Sequence, residues 1–296
     1  MADPADPALD PAAALAAARQ RAQTTYDAAA DRYDDPANSF WDRFGRRTVE
    51  RLVLRPGETV LDVCCGSGAS ALPAAQAVGP TGRVLGVDLS ERLLALARRK
   101  AAEAGLAQCE FRAGDLLDPL ATGGREDGDG GGGERFDAVV CVFGIFFVPD
   151  MAAAARALWR CVRPGGRLAL TTWGPRLFEP ASAGFWESIR AVRPDLHKGF
   201  NPWDRIGEPA AVVALLREAG VEGAEVVAEA GEHALPSPEA WWSAVLGSGY
   251  RGTVDQLDPA QRSLVRSANL DLIRRRSIRA VEANVVYAVA RRPARS

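Results

Sequence analysis

Apolar positions along this chain follow two alternating rhythms. Short continuous runs, ETVLDVCC (58–65), RVLGVDL (83–89), QCEFRAGD (108–115), FDAVVCVFG (136–144) and RLALTTW (167–173), read as strands buried on both faces. Between them ASALPAAQAV (69–78), ERLLALARRKAAEAG (91–105) and MAAAARALWRCVR (151–163) read as helices. Ser90 is the expected N-cap of the second, Gly105 its stop, and Pro164-Gly165-Gly166 closes the third. Strands alternating with helices of this length predict right-handed crossovers, and so an α/β fold built on a doubly wound, mostly parallel sheet.

The flanks have a different texture. Residues 1–11 are Pro-broken and acidic and read as a disordered leader, and helices are predicted over 12–34 and from Ser39 to Leu54. The segment 122–135 is glycine-rich and charged and lacks apolar residues, which predicts a flexible loop without a catalytic role. After Trp173 the chain becomes rich in aromatics and proline (175–207). A helix (208–219) and the strand EVVAEA (225–230) follow. Helices are then expected after Ser237-Pro238 and Asp258-Pro259, and a closing strand over 283–292. The segments 175–207 and 236–280 are assigned to a lobe that covers the substrate.

Composition narrows the function. A chain of 296 residues with 47% hydrophobic residues can bury a full core, and a net charge of −2 gives no field that would draw it to nucleic acid or anionic lipid. No apolar run reaches the roughly 18 residues of a spanning helix. Five cysteines (Cys64, Cys65, Cys109, Cys141, Cys161) without zinc spacing point to reduced thiols and no metal site in a cytoplasmic protein. If their segment is extended, Cys64 and Cys65 face opposite ways. The partner expected is a small molecule; the oligomeric state is not legible.

The candidate chemistry lies where the first three strands end. Asp62, beside Gly66-Ser67-Gly68, comes near the end of the first strand; Asp88 ends the second; Gly114-Asp115 follows the third. In open α/β sheets ligands bind at this edge. Gly66–Ala71 also fits a dinucleotide loop with Asp88 20 residues beyond Gly68. A carboxylate beside the loop would repel a pyrophosphate, and no cation between Cys64 and Ala71 offsets it. S-adenosylmethionine has no phosphate and carries an ammonium and a sulfonium, so three carboxylates favour it over a nicotinamide dinucleotide.

VLDVCCGSG, VLGVDLS, FRAGDLL, FDAVVCVFGIFFVPD and LWRCVRPGGRLALTTW, in this order and spacing, resemble the successive motifs of class I S-adenosylmethionine-dependent methyltransferases, closest to the small-molecule type 11, ubiquinone/menaquinone branch. The likeness is strong over about 40–175. It implies a Rossmann-like seven-stranded sheet ordered 3-2-1-4-5-7-6 with the last strand antiparallel. It implies that Asp62, Gly66 and Gly68 line the methionine moiety and that Asp88 takes the ribose hydroxyls while Leu89 packs on adenine. Asp115 would accept from the adenine amino group beside Leu116, and Cys141–Phe143 would form the floor. The resemblance makes 12–54 a helical lid, with Tyr33 and Phe40-Trp41 over the cofactor, and 55–174 the cofactor-binding core. Two departures stand out. Cys64 replaces the family's first loop glycine and narrows the methionine pocket, and Phe146-Phe147 stands where many relatives carry a His pair.

The reading is methylation, at oxygen or carbon, of a small apolar or aromatic acceptor held by Phe146, Trp173, Trp186 and Trp203, with S-adenosylhomocysteine as coproduct. His197 is the candidate general base, ahead of His233, Tyr26, Tyr33 and Asp204. An NAD(P)-dependent oxidoreductase and a protein that binds S-adenosylmethionine without methyl transfer stay open as alternatives.

Overall fold

The apolar runs form the strands of a central sheet in a computed structural model that describes residues 10–120 and 135–294. Residues 1–9, 121–134 and 295–296, which hold nearly all of the expected leader and glycine-rich loop, lie outside the described residues. Two helices come first, α1 (Pro11–Ala29) and α2 (Phe40–Leu52). The alternation follows: β1 (Thr59–Val63), α3 (Ala71–Val78), β2 (Arg83–Asp88), α4 (Glu91–Glu103), β3 (Cys109–Ala113), β4 (Phe136–Val142), α5 (Met151–Cys161) and β5 (Val162–Trp173). Ser90 caps α4 as expected, its hydroxyl accepting the Leu93 amide at 3.1 Å.

The second half contributes α6 (Ala181–Val192), α7 (Pro209–Glu218), β6 (Glu225–Glu229), β7 (Glu232–Ala234), α8 (Pro238–Leu246), α9 (Arg251–Val254), α10 (Pro259–Arg275), β8 (Ala280–Glu282) and β9 (Val285–Arg291). The seven-stranded sheet runs β3-β2-β1-β4-β5-β9-β6, with β9 antiparallel to both neighbours. This is the predicted order, β9 taking the place of the antiparallel last strand. Strands β1, β2 and β4 pair in parallel at Val60↔Val84 and Val60↔Ala138. Their side chains are apolar on both faces because helices cover both.

Three features depart from the pattern read along the chain. Strand β5 begins at Val162, not Arg167, and runs through Pro164-Gly165-Gly166; Phe136↔Val162 is followed by Ala138↔Arg167, so the motif is a bulge and not a stop. Proline offers no amide to miss there, and Gly165 takes the left-handed φ of 78°. Helix α6 was hidden among aromatics and prolines. It lies so close to α10 that a side chain on Gly184 would overlap Leu272. The three-residue ribbon β7–β8 is too short to show a period.

Helix α2 ties the front of the chain to the sheet. Phe40, Phe44, Thr48 and Leu52 recur on one buried face, and the Thr48 hydroxyl meets that of Thr171 at 2.7 Å. A Cβ on Gly45 would overlap the Ala69 carbonyl, so the helix backbone rests directly on the loop after β1. At its C-terminus buried Arg167 of β5 donates to the Leu52 carbonyl (2.6 Å) and the Val53 carbonyl (3.2 Å). It also makes a two-pronged pair with Glu58 (3.0 and 2.6 Å). One guanidinium therefore satisfies the last carbonyl of α2 and that of its cap Val53, and joins them to Glu58 just ahead of β1. No helix among the described residues is long and apolar enough to cross a membrane.

Candidate cofactor and acceptor site

Strands β1, β2 and β3 end side by side, with Val63 opposite Val87 and Asp88 opposite Ala113. The chain leaves β1 sharply. Cys64 adopts φ 61° and Gly66 φ 54°, so the segment is not extended at Cys64, yet Cys64 and Cys65 still pack into different apolar clusters. The Asp88 carboxylate holds this turn, accepting the Gly66 amide on Oδ2 (2.8 Å) and the Ser90 amide on Oδ1 (2.9 Å). Burial nonetheless raises its pKa, these amide hydrogen bonds opposing the rise.

A cavity of about 750 Å3, including its open mouth, lies over these strand ends. Of the residues anticipated for a cofactor, Tyr33, Trp41, Cys64, Gly66, Asp88, Leu89, Gly114, Asp115, Leu116 and Phe143 line it. The wall is bare backbone where bulk would intrude. A Cβ on Gly66 would stand 3.0 Å from the Tyr33 hydroxyl, and one on Gly114 2.5 Å from Val87. The Asp88 carboxylate at the end of β2, with Leu89 and Leu116 nearby, suits the hydroxyls and ring of an adenosine.

Asp62, Gly68 and Cys141 are not part of the wall. Asp62 lies within β1, opposite Gly86, and is fully buried beneath the loop. Its Oδ2 accepts the Ser70 hydroxyl at 2.7 Å and its Oδ1 makes no hydrogen bond. The expected trio of acids thus becomes two at the cavity, Asp88 and Asp115, with the third underneath. Gly68 serves helix packing, its missing side chain making room for Leu72 and Ala97. Cys141 is buried behind Gly144 next to Cys64, and all five cysteines are free thiols.

Burial pushes the Asp62 carboxyl up to about 7, the Ser70 hydroxyl opposing and the Asp88 charge adding to the rise. A carboxyl in an unfolded chain ionises near pH 4, so between about pH 4 and 7 the folded chain binds more protons. Its stability should fall as pH rises through that window. Asp62→Asn cannot titrate, and the stability difference, wild type minus variant, should decline from about pH 4 to pH 7 in urea unfolding. A flat difference would show the carboxyl ionised throughout.

Helix α1 closes the cavity from above and supplies residues that were not anticipated. Arg19 grips Asp115 with Nε at 2.5 Å and Nη2 at 2.9 Å, so the carboxylate expected to meet adenine already has a guanidinium partner. Gln23 donates to the Leu89 carbonyl (3.1 Å), and Asp27 accepts the Ser90 hydroxyl (2.6 Å). Arg19, Gln23 and Tyr26 follow helical spacing, a signal present in the sequence but masked by the alanine-rich surroundings.

Ala22, Tyr26, Trp41, Phe147 and Val148 are shared with a second, wider chamber of about 2180 Å3 including its mouth. The four residues expected to hold an acceptor, Phe146, Trp173, Trp186 and Trp203, all line it. Phe143 and Trp173 stack at 3.7 Å between ring centres, and Tyr33 stacks on Trp41 at 5.0 Å. His197 is absent from this wall. It follows a short turn (Pro194–Leu196) and meets Trp186 edge-on, 6.1 Å between centres. His233 is buried elsewhere, its Nε2 2.7 Å from the Ala37 carbonyl, and burial lowers its pKa. Neither histidine stands where the two cavities meet.

Residues 60–166 match the family model of a methyltransferase domain. The chain is 32% identical to nocamycin O-methyltransferase of Saccharothrix syringae over 258 residues, 81% of this chain and 86% of that protein. It is 34% identical to the demethylmenaquinone methyltransferase of Oceanobacillus iheyensis over 122 residues, which cover 41% of this chain and 47% of the relative. Among solved structures the cyclase SpnF shares the fold, at TM-score 0.55 and 20% identity, over 94% of this chain and 97% of its own. The likeness to nocamycin O-methyltransferase spans most of both chains, and the matched domain model covers the strands that build the cavity. The chain therefore belongs to the class I S-adenosylmethionine-dependent methyltransferases and is an enzyme that methylates small molecules with that cofactor.

Proposed function

We propose that the enzyme methylates an apolar or aromatic small molecule, at oxygen in preference to carbon, with the acceptor seated in the chamber walled by Phe146, Trp173, Trp186 and Trp203. The observation that carries this reading is the continuity of two unlike cavities. One holds carboxylates at strand ends, the other is aromatic, and Tyr26, Trp41, Phe147 and Val148 belong to both. The preference for oxygen follows the O-methyltransferase matched over most of its length.

In this reading Asp88 takes the ribose hydroxyls, Leu89 and Leu116 flank the adenine, and Cys64 and Gly66 border the methionine moiety. When bound, S-adenosylmethionine supplies an electrophilic methyl group: the acceptor's lone pair forms the new bond as the carbon–sulfur bond breaks, its electron pair remaining on sulfur. The chain's own part is positioning and exclusion of water. Stacked Phe143 and Trp173, with Trp41 above them, give the junction an apolar lining. Helices α1 and α2 act as the lid, and 175–207 with 236–280 as the acceptor lobe. The free cysteines support a cytoplasmic setting.

Calorimetric titration tests the cofactor assignment. S-adenosylhomocysteine should bind with one site per chain, and S-adenosylmethionine should be consumed when a panel of phenols and aromatic acids is added. Binding of NADH without binding of S-adenosylhomocysteine would overturn the assignment. Retention of S-adenosylmethionine without turnover across the panel would reduce the protein to a binder.

A further inference from the structure

The charges around the acceptor chamber are unbalanced. Arg21, Lys198 and Arg205 line it, and the one carboxylate among its described lining residues, Asp255, is taken by Arg251 (2.8 Å) and Arg262 (3.3 Å). Arg21 comes from α1 and Lys198 from the turn after α6. Neither has a carboxylate partner among the described residues. Two positions away on the same helix, Arg19 is fully paired with Asp115.

We infer that the acceptor is an acid whose anionic group docks between Arg21 and Lys198, with its ring system against Trp186 and Trp203. The inference names the substrate class of the reading above and rests on it. The Lys198 ammonium lies 5.9 Å from the Trp186 ring centre, so an anion that meets it brings its own apolar body onto that indole.

The test uses the full chain and two fluorescent probes of one skeleton. These are 8-anilinonaphthalene-1-sulfonate and its neutral parent N-phenyl-1-naphthylamine, titrated into wild type and into Arg21→Gln/Lys198→Gln. Both side chains are exposed, so the variant should fold as the wild type does. The sulfonate should bind about three- to tenfold more weakly to the variant, as loss of two exposed charge contacts requires, with the neutral probe little changed. Equal loss for both probes, or no loss for the sulfonate, overturns the assignment of an acid. S-adenosylhomocysteine titrated in parallel separates the failures. Its binding should be equal in wild type and variant, and its failure to bind wild type would overturn the methyl-transfer reading and this inference with it.

Discussion

Asp88→Ala is expected to weaken binding of S-adenosylhomocysteine by ten- to a hundredfold, about 1.5–3 kcal/mol for a lost hydrogen bond to a charged group. The carboxylate has two tasks that fall together. It is the acid at the end of β2 that faces the cavity, and it holds the Gly66 and Ser90 amides that shape the loop and the entry to α4. On the proposed reading, removing it would take an acceptor from the ribose and would loosen the turn at Gly66. Asp88→Asn keeps one acceptor oxygen and should fall between wild type and alanine. An unchanged dissociation constant in calorimetry for Asp88→Ala would show that the carboxylate serves only the backbone.

The largest loss of stability should come from a residue far from the ligands. Glu58→Ala leaves the Arg167 guanidinium, 5% exposed, without its counter-charge at the centre of a three-way joint. Removing one partner of a buried pair costs about 3–5 kcal/mol, and the 13% exposure of the Glu58 side chain favours the lower end. Burial raises the Glu58 pKa, but hydrogen bonds from Arg167 and the Arg55 amide outweigh it, and the net shift is downward. The folded carboxyl thus ionises at lower pH than the unfolded one. Its contribution is present above its unfolded value of about 4.3 and is lost as pH falls through the folded one. Urea unfolding should therefore show the full deficit at neutral pH and a smaller one in acid. A deficit below about 1 kcal/mol at neutral pH would mean that water replaces Glu58.

The sheet was legible because its determinants are local. Runs of Val, Leu and Ala bounded by Gly, Ser90 ahead of an apolar period, and acids at strand ends each declare themselves within a few residues. Asp88 and the aromatic quartet could be proposed for the site on the same grounds. What escaped depends on distant neighbours. Nothing near Asp62 in sequence tells that Ser70 and the loop will cover it, and nothing near Asp115 announces Arg19, 96 positions earlier. The bulge through Pro164-Gly165-Gly166 follows from the pairing of β5 with β4, since the same tripeptide out of context reads as a turn. Helix α6 is settled by α10, whose Leu272 takes the space that Gly184 leaves.

Helix α1 forms one wall of both cavities and is pinned at three places along its length, by Arg19 to Asp115, Gln23 to Leu89 and Asp27 to Ser90. The two compartments consequently share part of a wall. A rotation of this helix that widens the slot over the strand ends also widens the aromatic vestibule, because Ala22 and Tyr26 border both. The three fastenings of α1 therefore bear on the shape of both compartments at once.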